Sequence, residues 1–210
     1  MSTVSTVTAA AGLAMRPATL ADLDEIDRLL VETFGRGAGA ALGGVPEEVQ
    51  LQLRRDLRGL NPDPTAGLLV ATDGAAIAGV VAVERAETAG RLGAAALPVL
   101  RWLGPLGALR FFLAALATRY RPAPDEAYLS CLAVAPSHRR QGVGEWLLRS
   151  AELEAGRHGK TFVSGFVAPT NRASLALCEK VGFRPGRPAG PRWRRPVSRR
   201  GFTYLRKPLP

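Results

Sequence analysis

The sequence predicts an α/β fold: a mixed β-sheet of about six to seven strands with helices on its faces. Three observations carry that reading. Beyond residue 125, short apolar runs suited to strands alternate with stretches whose apolar residues recur at helical spacing. Upstream, Gly67 to Thr72 and Ala76 to Glu84 flank Asp73-Gly74, a pair that favours a tight hairpin. A second hairpin is expected at the end of the chain, so antiparallel pairs join strands linked by crossover helices and the sheet is mixed. At 210 residues there is chain enough for one compact domain with a real core.

Residues 1–14 hold no Lys or Arg and no long apolar run, and are mostly Ser, Thr, Ala and Val. They read as a disordered tail without a secretory signal, ahead of a single domain over residues 15–210. Met15 to Thr19 reads as a short strand. A helix opens at Thr19 or Ala21-Asp22, with Leu23, Ile26, Leu29 and Leu30 at helical spacing. Asp22, Asp24 and Glu25 fall in its first turn, where the helix dipole favours acids. Gly35 to Gly44 reads as a glycine/alanine loop. Pro46-Glu47-Glu48 begins a second helix to about Arg58, striped by Val49, Leu53 and Leu57. Asn61-Pro62-Asp63-Pro64 is a turn before the hairpin.

Arg91 to Tyr120 is an apolar run interrupted by Pro98, Arg101, Pro105 and Arg110. No uncharged segment reaches the roughly 18 residues of a membrane span, so none is expected. Leu109, Phe112, Leu113 and Leu116 fit one face of an amphipathic helix. The expectation is an apolar helical insertion at 91–120, packed on the sheet. Its exposed side would cover a pocket or form a homodimer surface.

Ala127 to Val134 is apolar at nearly every position, as in a central strand buried on both faces. Pro136 ends it. Val143, Trp146, Leu147 and Ala151 then mark a helix to about Arg157, with Gly159 just past its end. Thr161 to Val167 is a strand. Asn171 caps a helix striped by Ala173, Ala176, Leu177 and Val181 and ended by Gly182. Phe183 starts a strand, residues 184–200 form a basic proline-rich loop, and Gly201 to Leu205 is the last strand.

The segment between the central strand and its helix carries chemistry. Arg139, Arg140, Gly142 and Gly144 fall within six residues at a helix start. A helix N-terminus offers unpaired N–H groups and a positive dipole end, and glycines let a phosphate approach the backbone. Arginines add charge-assisted hydrogen bonds. The alternative is an ordinary loop with two solvated arginines. The spacing fits neither a dinucleotide fingerprint nor a Walker loop.

Arg139-Arg140-Gln141-Gly142-Val143-Gly144 resembles the (Gln/Arg)-x-x-Gly-x-(Gly/Ala) acyl-CoA motif of the GNAT N-acetyltransferase superfamily. Downstream, Asn171 to Phe183 is similar to the superfamily's Asn-x-x-Ala/Ser…Tyr-x-x-x-Gly-Phe segment. The two matches stand in the right order and span roughly Asp125 to Phe183. The resemblance implies a sheet splayed in the middle to admit the pantetheine arm. It also implies acetyl transfer from acetyl-CoA, a co-substrate, to a primary amine of a small molecule or peptide by direct attack, without a metal. Backbone groups of Leu132, Ala133 and Val134 would pair with the pantetheine arm, and one N–H would polarise the thioester carbonyl. Arg139, Arg140, Gln141, Gly142, Val143 and Gly144 would hold the pyrophosphate, and Asn171 and Ser174 would contact the pantetheine.

Asp125 to Val134 is similar to the same strand in bacterial ribosomal-protein N-terminal acetyltransferases, which makes Glu126 the candidate base. Glu84 and water are its rivals, and a solvated acid at a strand end is the plain alternative. Cys178 stands where many members carry the tyrosine that protonates the leaving thiolate. It is read as packing first, proton donor second and nucleophile third. His138 is read as an exposed loop residue and His158 as a helix-end partner, neither of them catalytic.

Two cysteines, Cys131 and Cys178, make no disulfide framework and suggest free thiols in a reducing, cytoplasmic compartment. The formal net charge is +10, yet nine Lys/Arg and no acid lie from Arg184 onward, leaving residues 1–183 at only +1. That basic segment points to an anionic partner or a solvated loop. Two other functions stay open: a nucleic-acid-binding protein using this segment, and an acyl-CoA sensor without turnover. Against the first, only Trp193 interleaves the arginines, and no helix-turn-helix or zinc spacing occurs.

Overall fold

A computed structural model describes residues 12–41, 44–86, 95–118, 120–188 and 201–210. The tail before residue 12 and the basic stretch from 189 to 200, with Trp193, lie outside the described residues. The strands are β1 (Leu13–Pro17), β2 (Leu68–Asp73), β3 (Ala76–Glu84), β4 (Glu126–Val134), β5 (Phe162–Val167), β6 (Arg184–Pro185) and β7 (Thr203–Pro208). The helices are α1 (Leu23–Ala41), α2 (Glu47–Arg58), α3 (Ala96–Thr118), α4 (Val143–Arg157) and α5 (Arg172–Val181). One seven-stranded sheet runs in the order β1-β2-β3-β4-β5-β7-β6. Only β4 and β5 pair in parallel, joined by the α4 crossover. The mixed α/β sheet flanked by helices is as the sequence predicts.

Each face of the sheet buries its own core. On one, Leu23, Ile26, Leu29 and Leu30 of α1 meet Val70, Ile77, Val80 and Ala133. On the other, Val143, Trp146, Leu147, Leu148, Ala151 and Ala155 of α4 meet Ala71, Val81, Ala127 and Val163, joined by Cys178 and Val181 of α5. Burial on both faces is why β3 and β4 read as nearly continuous apolar runs rather than alternating ones. Ionic contacts fasten the α1–α2 pair: Arg58 bridges Asp24 at 2.9 Å and Asp27 at 2.8 Å.

Four local expectations need correction. Helix α1 continues through Gly35 to Ala41 instead of breaking into a loop. Alanine is the strongest helix former, and no proline interrupts the segment before Pro46. Strand β1 runs from Leu13 to Pro17, so Leu13 and Ala14, expected in a disordered tail, pair with Asp73 and Thr72 of β2, and a short 3₁₀ turn over Leu20–Asp22, capped by Thr19, leads into α1. In α5 the inward side is Ser174, Leu175, Leu177, Cys178 and Val181, while Ala173 and Ala176 are exposed. Leu177 and Val181 lie inward as expected, whereas alanine is small enough to sit on either side of a helix and its two positions carry no signal of the buried face.

The fourth correction concerns α3. Its 21 residues from Ala96 to Leu116 have the length and composition of a membrane span, with Arg101 and Arg110 the only charges. The segment is bent: Gly104 takes φ 64°, ψ −179°, and Pro105 starts the second half. It packs on α2 rather than on the sheet. Val99 and Ala108 join Leu53 and Leu57, and Trp102 Nε1 donates to Asp56 Oδ2 at 2.7 Å. Of the expected apolar stripe, Phe112 packs inward while Leu109, Leu113 and Leu116 face solvent.

Candidate active site

The sheet opens between β4 and β5. Parallel pairing runs from Glu126↔Phe162 to Leu129↔Gly165 and then stops, although both strands continue. Facing β3, the register of β4 shifts between Cys131 and Leu129, which makes Ser130 a bulge residue. Past the bulge, Ala135 N–H donates to Ala78 O at 2.9 Å. Alternation along the strand then turns Ala133 toward β3 and turns the N–H and C=O groups of Leu132 and Val134 toward the open edge. Val134 O is met there by Arg139 Nε at 3.0 Å. Of the three strand residues expected to bind, Leu132 and Val134 therefore present backbone groups to the gap, and Ala133 has its own turned to β3.

Directly beyond this edge lies the glycine turn. Arg139, Arg140, Gln141 and Gly142 are exposed, and Val143 begins α4 with its side chain buried. Gly142 is the N-cap in the left-handed region at φ 82°, a conformation that suits glycine. Arg140 is also left-handed at φ 61°, the only non-glycine residue so held among those described. Strain of this kind persists where the surroundings enforce it, and alternating backbone hands turn successive N–H groups toward one side. Gln141 Nε2 donates to Ser137 O at 2.8 Å, and His138, half-buried rather than exposed, bonds Asp73 at 3.2 Å.

Helix α5 closes the other side. A Cβ on Gly144 would lie 3.0 Å from Leu177 Cδ2 and 3.8 Å from Val134 Cγ2. A small residue at 144 thus lets α5, α4 and β4 converge. Asn171 caps α5, its Oδ1 accepting from Ser174 N at 3.1 Å. The open edge of β4 leads directly into the glycine turn, where exposed arginines flank the N-terminus of a 15-residue helix, and α5 meets that helix through Leu177. Such an arrangement can hold an extended chain by backbone hydrogen bonds and an anionic group at its end.

Glu126 lies elsewhere. It is at the paired end of β4, six residues or roughly 20 Å from Leu132 along the strand, and it is 0% exposed. Both carboxyl oxygens are occupied. Tyr120 Oη donates to both at 2.8 and 2.9 Å, Ala123 N at 2.9 Å, Tyr204 Oη at 2.8 Å, and Ser164 Oγ donates as well. Burial, with the neighbouring Glu126 charge, pushes the Tyr120 hydroxyl far above its ordinary pKa and that of Tyr204 up to about 12. The three tyrosines of the chain form one cluster with Phe166, and Tyr120 and Tyr204 bond this carboxyl group. The sequence reading missed Tyr120, Ser164 and Tyr204. The available signal was an acid at the start of an otherwise apolar strand in a chain with three tyrosines.

Glu84 ends β3 in register with Tyr128, one step from the last β4–β5 pair, and is half-buried. Burial pushes the Cys131 thiol up to about 11, with the charges of Arg54 and Glu84 nearby. These groups share the sheet face covered by α1 and α2, beside the point where the strands part. Cys178 is buried in the α4–α5 core, and burial pushes its thiol up to about 11. Cys178→Ala should change kcat by only a few-fold, and iodoacetamide at neutral pH should leave activity intact, because almost no thiolate forms. A burst of free thiol without acceptor, with acetylated Cys178 found by mass spectrometry, would overturn the packing role. His158 ends α4 and bonds Glu154 at 3.0 Å, as a helix-end partner should.

Comparison with known proteins bears on the family and the fold. The model of the "Acetyltransferase (GNAT) family" matches residues 24–183. No curated protein matches the chain in sequence. Among solved structures, an N-acetyltransferase from Staphylococcus aureus Mu50 superposes with a TM-score of 0.61 at 18% identity, over 93% of this chain and 100% of that one. The PaiA N-acetyltransferase from Thermoplasma acidophilum, in complex with coenzyme A, gives 0.57 at 13% identity, over 94% and 99%. YncA from Salmonella typhimurium, with its cofactor acetyl-CoA, gives 0.52 at 18% identity, over 95% of each chain.

Proposed function

The chain belongs to the GNAT acetyltransferase family, and from that premise we propose that it moves an acetyl group from acetyl-CoA to a primary amine by direct attack. The observation that carries this reading is the end of β4–β5 pairing at Leu129↔Gly165, directly before the glycine turn that opens α4. The cleft fits the co-substrate: Leu132 and Val134 offer backbone groups to an amide-bearing arm, and the Arg139–Gly144 turn suits a pyrophosphate. Asn171 and Ser174, at the start of α5, would contact the arm. Acetyl-CoA supplies the activated thioester, and an N–H on the open edge of β4 is placed to polarise its carbonyl. The coenzyme-bound relatives support this use of the same fold.

The acceptor would approach from the face that carries Glu84 and Cys131. Glu84 is then the better candidate base, because Glu126 is closed off from solvent and already accepts from four groups. Glu84→Gln should keep coenzyme binding and lower kcat/KM by roughly 10²-fold at neutral pH, with the defect shrinking at high pH where the amine is already neutral. A rate at pH 7 equal to wild type would assign the proton to water. The function itself is tested by release of coenzyme A across a panel of small amines and peptides. Tight acetyl-CoA binding with no release over the whole panel would replace the enzyme with a sensor.

A further inference from the structure

We propose that α3 is a membrane-surface element that lays the protein on an anionic bilayer. The observation is a stripe of leucines left exposed among the described residues. Leu97 and Leu100 in the first half, and Leu106, Leu109, Leu113 and Leu116 in the second, are 48–80% exposed. In the second half they recur at i, i+3, i+7 and i+10, a stripe opposite Ala108, Phe111 and Phe112, which pack toward α2. A monomer seldom exposes so many large apolar side chains together, and such a patch marks an interaction surface.

Charge and composition select the occupant. Arg101 and Arg110 are exposed, each four residues beyond a stripe leucine, at the border of the apolar face, and α3 contains no acid. Across an anionic bilayer surface each arginine finds a headgroup while its alkyl stem lies along the acyl boundary. A second copy of the same face would set arginines against arginines with no acid on α3 to answer them. Protein interfaces also concentrate aromatic anchors, whereas here Trp102, Phe111 and Phe112 turn inward and only leucines point out. The break at Gly104-Pro105 and the two arginines suit a segment lying in the interface rather than crossing it.

The test is vesicle sedimentation of the full chain with phosphatidylcholine vesicles and with vesicles also containing phosphatidylglycerol. The protein should pellet with the anionic vesicles. Leu106→Gln/Leu109→Gln/Leu113→Gln should abolish this while leaving net charge, melting temperature and acetyl-CoA binding unchanged. Replacing both arginines by glutamine should weaken binding by roughly fivefold per charge. Pelleting that survives the leucine changes but vanishes at high salt would assign the contact to the basic C-terminal segment and overturn the proposal. So would a leucine-dependent dimer in sedimentation equilibrium together with no binding to either vesicle.

Discussion

Glu126→Ala should strongly destabilise the fold, lowering the free energy of unfolding by about 3–5 kcal/mol. The carboxyl group is fully buried and accepts from the hydroxyls of Tyr120, Ser164 and Tyr204 and from the Ala123 amide. Removing it strands four buried donors and opens a cavity among three aromatic rings. Glu126→Gln should cost less, about 2 kcal/mol, because the carboxamide keeps one acceptor oxygen and the hydroxyls can rotate toward it. Urea denaturation followed by fluorescence reads both. The order Ala worse than Gln is specific to a hydrogen-bonding role. If both variants unfold within about 1 kcal/mol of wild type and only kcat falls, the carboxyl is catalytic rather than structural.

Gly142→Asp should abolish coenzyme binding, weakening it by about 10²-fold or more. Two effects combine. Residue 142 sits at φ 82°, where glycine is favoured and aspartate, like asparagine, is tolerated at a smaller cost than other side chains. A carboxylate at the N-terminus of α4 also repels the phosphates that the helix end would hold. A Cβ at this position meets nothing within 4 Å, so packing is untouched and the variant should fold. Gly142→Asn isolates the charge, since asparagine and aspartate share shape and tolerance of the left-handed region and only aspartate is charged. Calorimetric titration with coenzyme A should find Asn weakened modestly and Asp silent. Equal affinity for Asp and wild type would remove the phosphate from this turn.

The candidate site was legible in the sequence where function depends on local backbone. The Arg139–Gly144 turn, the Asn171 cap and the strand-turn-helix order all sit within one contiguous stretch. Their chemistry follows from residue type and spacing: glycine where φ is positive, asparagine where a helix begins, apolar residues where a strand is buried on both faces. The insertion before β4 was legible too, as an apolar run broken by Pro105.

Three things were decided by contacts between distant residues. One is the fate of Glu126. A sequence shows an acid at a strand start, and only the packing of residues 120, 164 and 204 shows that its oxygens are filled and water is shut out. Another is the face of α5, where Cys178 turns into the core and burial raises its thiol. The last is α3, whose helical wheel is apolar nearly all round, so composition cannot say which side is covered. Periodicity carries information only where polar and apolar residues alternate. Where they do not, the partner surface sets orientation, and here α2 covers one side and leaves the leucines on the other to solvent.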